Sequence, residues 1–227
     1  MKRIFLFMVV LAVALTSCDN NSVKIRGKVL GLNGTVKLMA EKPGQQGLAL
    51  LAQQDVVDGE IDLSTEELQI PARVWIDIAG MVTLETVVDS KDQIWIKGKA
   101  KFADQIEVQG SGLDVEYEKL KKRFKEKYES PLEPIDRNIQ KIMNKKKQSK
   151  DDDVMLGVFQ LQRLRYIKAR ANYVKNLIEA NPKQELSLIL LQDELRDSLD
   201  LQKRLFKAIQ VANKESNLYK VVEDRLK

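Results

Sequence analysis

An α+β protein, with an N-terminal antiparallel β-sandwich-like domain and a C-terminal helical bundle, is predicted by three features of the 227-residue sequence. Up to residue 110, apolar residues recur with a period of two, as in strands with one wet face. Beyond residue 111 they recur at spacings of three and four, as on helices with one apolar stripe. Both tryptophans, Trp75 and Trp95, and nearly all the glycines precede the changeover at QGSG, 109–112. Lys, Glu, Gln and Leu dominate after it.

The first residues stand apart from both halves. Lys2 and Arg3 precede an unbroken apolar run, Ile4 to Leu15, and then small Thr16 and Ser17. This is the charged, apolar and small-residue order of a secretory signal, expected over 1–17. The run is too short to span a membrane, which takes about 20 apolar residues. Leu15-Thr16-Ser17-Cys18 resembles the lipobox of bacterial lipoproteins. That resemblance implies diacylglyceryl attachment to Cys18, cleavage before it, acylation of the new amino terminus and a short tether over 18–22. Each buried CH₂ contributes roughly 0.8 kcal/mol, so several acyl chains on one residue hold a domain at a bilayer. The competing reading is an ordinary cleaved signal with a free thiol behind it.

The β domain is expected over 23–110. VKIRGKVL from Val23 alternates, the LNG turn at 32–34 follows, and TVKLMA at 35–40 alternates again. GLALLAQQDVV (47–57) meets Asp58-Gly59, a strong hairpin signal, and EIDL answers it. RVWIDIAG (73–80), MVTLETVV (81–88), QIWIKG (93–98) and QIEVQG (105–110) complete the series. Trp75 and Trp95 are candidates for an aromatic platform for a sugar or peptide. Packing within the strands is the preferred reading for both, because strand aromatics pack across sheets.

The helical domain is expected over 111–227. Leu113, Tyr117, Leu120, Phe124 and Tyr128 form one stripe, which Pro131 and Pro134 are expected to end. Ile135, Ile139, Ile142 and Met143 begin a second helix that fades into NKKKQSKDDD at 144–153. The acids there do not alternate and no turn glycine accompanies them, so a calcium loop does not fit. Lys145–Lys147 are balanced by Asp151, Asp152 and Asp153, so no polybasic patch forms either. A solvated interhelical loop is expected, with the aspartates favouring the next helix N-terminus. A long helix from Val154 to Ile178 ends at Asn181-Pro182. One helical stretch is expected from Glu185 to about Val211, and a last short helix through Leu226. Short connections imply antiparallel neighbours.

Chemistry is bounded by what the sequence lacks. It has no histidine, and Cys18 is its only cysteine. The commonest general base, metal ligand and nucleophilic dyads are thereby removed. No P-loop, dinucleotide fingerprint or nucleophile elbow is present. Glu66-Glu67 and Asp193-Glu194 read as charged surface spacing. No catalytic residue, cofactor or metal ligand is therefore nominated. With 38 basic and 33 acidic residues, the chain lacks the basic excess of a nucleic-acid binder.

The order of VKIRGKVLGLNGTVKLMA, VVDGEIDL, IEVQGSGLDVEYEKL and ANPKQELSLILL behind a lipobox carries a family resemblance. It resembles the N-terminal domain of unknown function that precedes thioredoxin-like domains in thiol-disulfide oxidoreductase lipoproteins of Gram-negative anaerobes. The resemblance covers about Val23 to Lys227 and rests on the turns at Gly27, Gly31, Asp58-Gly59 and Gly110-Ser111. In that family the helices lead into a thioredoxin fold with a Cys-x-x-Cys pair. Here the sequence closes on VVEDRLK with no such pair, so the family's redox activity is not carried over. The expected function is that of a non-enzymatic cell-envelope lipoprotein, anchored to the membrane through Cys18 and acting as a protein-binding or accessory module. Asp19, Asn20 and Asn21 make a poor match to the acid-rich tethers of surface export, so an outer-membrane anchor facing the periplasm is expected. The alternative is a non-catalytic partner of a separate thioredoxin-like envelope oxidoreductase.

Overall fold

The computed structural model describes residues 23–89 and 94–227. The signal, Cys18 and the tether therefore lie outside the described residues. Eight strands come first: β1 (Val23–Leu30), β2 (Gly34–Glu41), β3 (Leu48–Val56), β4 (Glu60–Thr65), β5 (Ala72–Ile78), β6 (Val82–Val88), β7 (Ile94–Lys99) and β8 (Glu107–Gln109). They make two four-stranded sheets, ordered β4-β1-β7-β8 and β3-β2-β5-β6. Alternate residues meet between the sheets, including Val23, Ile25, Val36, Leu38, Ile61, Leu63, Val74, Ile76, Ile94 and Ile96.

The Asp58-Gly59 turn does what its residues permit. Both have positive φ, 58° and 80°, the conformation that matches a tight turn to strand twist. A Cβ on Gly59 would sit 2.0 Å from the Val29 carbonyl oxygen, so the turn lies directly on β1. The hairpin expected here is corrected: β3 pairs with β2 and β4 with β1, so the turn carries the chain from one sheet to the other instead of joining two paired strands. One pairing departs from the antiparallel expectation: β1 and β7 run parallel, Ile25 opposite Ile94 through Leu30 opposite Lys99. The intervening strands β2, β3, β5 and β6 lie in the facing sheet, and that excursion lets β7 return alongside β1 in the same direction.

Six helices follow: α1 (Gly112–Phe124), α2 (Leu132–Met143), α3 (Lys150–Ala180), α4 (Leu186–Glu194), α5 (Leu199–Ala208) and α6 (Asn217–Arg225). A wider π turn, Lys125–Glu129, extends α1 and buries Tyr128. Ser111 caps α1 by accepting from the Asp114 amide. Pro131 sits at the start of α2 without a capping hydrogen bond, and Pro134 lies within its first turn, where an amide would have no intrahelical partner anyway. At α3, Ser149 and Asp152 form a reciprocal capping box, and Asp151, Asp152 and Asp153 occupy the first turn. The charge run is thus a loop followed by a helix start, as its acids imply. The expected stretch from Glu185 to Val211 is two helices, broken at Leu195–Ser198. Its first part, LSLILLQDE, is buried nearly all round, whereas the second has one wet face, so the two cannot continue along one axis.

The helices cover the outer face of the β5–β6 side. Val87 of β6 joins Tyr117, Phe124, Val174, Leu188 and Leu218 in a second hydrophobic core. Helix α6 docks by its own N-terminus. The Asn217 and Leu218 amides donate to the carbonyls of Gln69 (2.8 Å) and Pro71 (3.0 Å), while Ser216 caps the Tyr219 amide. Donors that a helix leaves free are thereby satisfied by the segment that leads into β5. Arg225 meets Glu41 and Asp224 accepts from the Gly44 amide.

Neither core contains a residue between 129 and 165. Helix α2 and the first half of α3 pack on each other, joined by Arg163–Asp136 (3.0 Å) and Lys145–Asp152 (2.5 Å), and form an arm beside the body.

Candidate functional site

The polar centre of the molecule lies where sheet meets helix. Arg73 shares the outward phase of β5 with Trp75 and Asp77, so its side chain leaves the sandwich core and enters the helix layer. Its guanidinium donates two parallel hydrogen bonds to Asp193 at the end of α4, Nη1 to Oδ1 at 2.8 Å and Nη2 to Oδ2 at 2.6 Å. The Arg73 Nε lies 3.3 Å from Glu85 of the neighbouring strand. The Tyr117 hydroxyl of α1 donates to Asp193 Oδ2 at 2.5 Å, and Arg196 donates to Oδ1 at 3.2 Å. One carboxylate therefore gathers groups from β5, α1 and the turn after α4.

A second cluster adjoins it. Arg170 of α3 donates to Glu194 (Nε to Oε2, 2.8 Å) and to Glu129 (Nη1 to Oε1, 2.7 Å), and its guanidinium lies 5.1 Å from the centre of the Phe124 ring. Tyr173 packs edge-on to Phe124 and tilted against Tyr128. A cleft of about 440 Å³ opens here, lined by Tyr128, Tyr166, Arg170, Asp193, Glu194 and Leu201, among others.

The charges bear on one another in predictable ways. Burial pushes the Asp193 carboxyl up, but the hydrogen bonds and charge of Arg73 outweigh it and hold the group below its ordinary value. Burial, with the Asp193 charge beside it, raises the Tyr117 phenol far above its ordinary range, so it is a fixed donor. Burial also raises Glu194 against the pull of Arg170. Asp114 accepts from the Val87 amide (3.1 Å), and burial raises its carboxyl too. The Arg73 Nη groups, the Tyr117 hydroxyl and the Asp193 carboxylate are spent on each other, while Arg73 Nε is buried beside Glu85 without a hydrogen bond. That arrangement fixes the helix layer to the sheet.

The sequence reading of Asp193-Glu194 as charged surface spacing is corrected by this geometry: their side chains are 12% and 7% exposed. The available signal was the run LSLILLQDE, since a helix buried all round carries its terminal charges inward. Glu66 and Glu67 are exposed as read, with Glu67 paired to Lys42 at 2.9 Å. Trp75 and Trp95 lie in different sheets and share no platform. Trp75 is half-buried, but Trp95 is 51% exposed, against the packed position expected for it. It stands on the outer face of β7 in a shallow groove with Arg26, Lys28, Asp62 and Lys97. Among the described residues, no group of three or more acidic, histidine or cysteine side chains is placed to hold a metal ion. No described helix is long and apolar enough to cross a membrane. No protein-family model, curated protein or solved structure matches the chain.

Proposed function

We propose that this chain is an accessory module of the cell envelope, anchored by lipid on Cys18 in the outer membrane, facing the periplasm and acting by binding another envelope protein. The α2–α3 arm is the contact element. The observation that carries this reading is the arm's surface. It contributes to neither core, yet displays Met143, Val154, Met155, Val158, Leu161 and Leu164 to solvent. Contiguous exposed apolar surface rimmed by charge is the usual mark of a protein contact. The buried ionic cluster at Asp193 supports the same reading, because it ties helices to sheet and makes the body a stiff mount for the arm.

A photo-crosslinking residue at Met143, near the arm's tip, tests this in cells expressing the full chain, with Phe102 in the β half as the comparison position. The expected result is one abundant envelope protein joined from Met143 and not from Phe102. A thioredoxin-like adduct would identify the oxidoreductase partner of the alternative reading. Absence of any foreign adduct from Met143 would overturn the binding role. Replacing Cys18 with serine is expected to move the chain out of the membrane fraction, and full retention there would refute the anchor.

A further inference from the structure

We propose that the outer face of α3 pairs antiparallel with the same face of a second copy of this chain. Asp151, Val154, Val158, Leu161, Arg165 and Lys168 recur at spacings of three and four, the a and d positions of a heptad seam. They lie on the side of α3 opposite Arg163, which binds Asp136 of α2, and Asp152, which binds Lys145 just beyond it. Val154 is 65% exposed and Leu161 58% exposed. Met155 and Leu164, on the two flanks, widen the apolar strip.

Nothing among the described residues accounts for this composition. Valine and glycine are poor helix formers, and a glycine in a helix interior costs about 1 kcal/mol relative to alanine. Gly157 nevertheless sits beside Val158, and a Cβ there would meet nothing within 4 Å. Small residues at mid-seam let a second helix approach closely.

The charges select the occupant and its direction. The seam is acidic at its start, Asp151, and basic at its end, Arg165 and Lys168, roughly 25 Å further along the helix. None of the three has an ion-pair partner among the described residues. A parallel pair would set like charges together at both ends. An antiparallel pair sets each Asp151 against Arg165 and Lys168 of the other copy, twice over by symmetry, with Val158 and Leu161 of both copies at the centre. The self-complementarity is of the kind a two-fold contact requires.

The test uses the full chain in cells, with Val158→Cys and a short thiol-specific bismaleimide; the chain without that substitution gives the background from Cys18. A product of twice the chain's mass is expected from Val158→Cys, and only background from Gln160→Cys on another face of α3. In the Val158→Cys background, Asp151→Arg is expected to lower the yield about tenfold, since it places a third cation beside two at both ends. Adding Arg165→Asp and Lys168→Asp to that variant is expected to restore it. All these positions are exposed, and unchanged circular dichroism confirms that each variant folds. No doubled product above background, or charge reversal without loss, or loss without restoration, overturns the pairing. The pairing occupies the α3 strip and leaves Met143, at the arm's tip, to the foreign partner; a foreign adduct at Met143 differs in mass, so this inference and the binding role fail separately.

Discussion

Replacing Asp193 with alanine would leave a guanidinium stranded between sheet and helices. The Arg73 side chain is 7% exposed and would lose both short hydrogen bonds, keeping only Glu85, which is 49% exposed. Tyr117 would lose its acceptor in the same step. Removing one partner of a buried pair costs about 3–5 kcal/mol, mostly through the charge left behind. For a domain of this size each kcal/mol moves the melting midpoint by roughly 2–4 °C, so a fall of about 6–20 °C is expected. Tyr117→Phe alone should cost about 1 kcal/mol. The combined Arg73→Met, Asp193→Leu variant removes both charges while keeping apolar volume, and should recover most of the loss. The assay is urea unfolding followed by tryptophan fluorescence and far-ultraviolet circular dichroism. Trp75 reports on β5 beside Arg73, and ellipticity reports on the helices. In the single variant the two signals should separate, because the tie between the halves is gone. A loss below about 1 kcal/mol, the range of an exposed pair, would refute the reasoning. So would a double variant no more stable than the single.

Three further outcomes are expected. Stability should rise as pH falls from neutral towards the ordinary carboxylate range near about 4, because the raised Asp114 and Glu194 take up protons in the folded state first. It should then fall below that range as Asp193, held low by Arg73, is protonated; urea midpoints at pH 7, 5 and 3 check both limbs, and Asp114→Asn should weaken the rise. Ser216→Ala removes a buried cap and should cost about 1 kcal/mol in the same assay, with α6 exchanging its amide hydrogens faster. Gly59→Ala places a side chain at φ 80° and 2.0 Å from the Val29 carbonyl, so a loss of at least about 2 kcal/mol is expected, against little change for Asp58→Asn.

The strands were legible because their alternation has one cause, a sandwich core between two wet or covered faces. The turn at Asp58-Gly59 was legible because few residue pairs tolerate it, but the hairpin read from it was not formed, since β3 and β4 join different sheets. The parallel β1–β7 pairing was not, since register and neighbour choice depend on which sheet each strand joins. The break at Leu195–Ser198 carries no proline or glycine, and only the change from an all-round apolar helix to a one-sided one marks it. Arg73 could be placed on the outward phase of β5 and Tyr117 on an apolar stripe. That they converge on Asp193 is a fact of three-dimensional packing between segments 76 and 120 residues apart in the chain. Trp95 shows the opposite limit: alternation placed it on the outer face, but only the sheet order shows that no layer covers that face.

The docking of α6 also orders events in time. Glu41 meets Arg225, 184 residues later, and the carbonyls of Gln69 and Pro71 wait for the amides of Asn217 and Leu218. At synthesis rates of about 5–20 residues per second, the contact with Glu41 forms roughly 9–37 s after that residue is made. Until Asp193 and then Asn217 have followed, the outer side of β5 holds an arginine without its carboxylate, and the segment leading into β5 carries carbonyls without donors. A chain emerging in stages would thus carry a finished sandwich core with an unfinished, adhesive back. Any folding helper that serves this protein has that surface to hold, and for about that long.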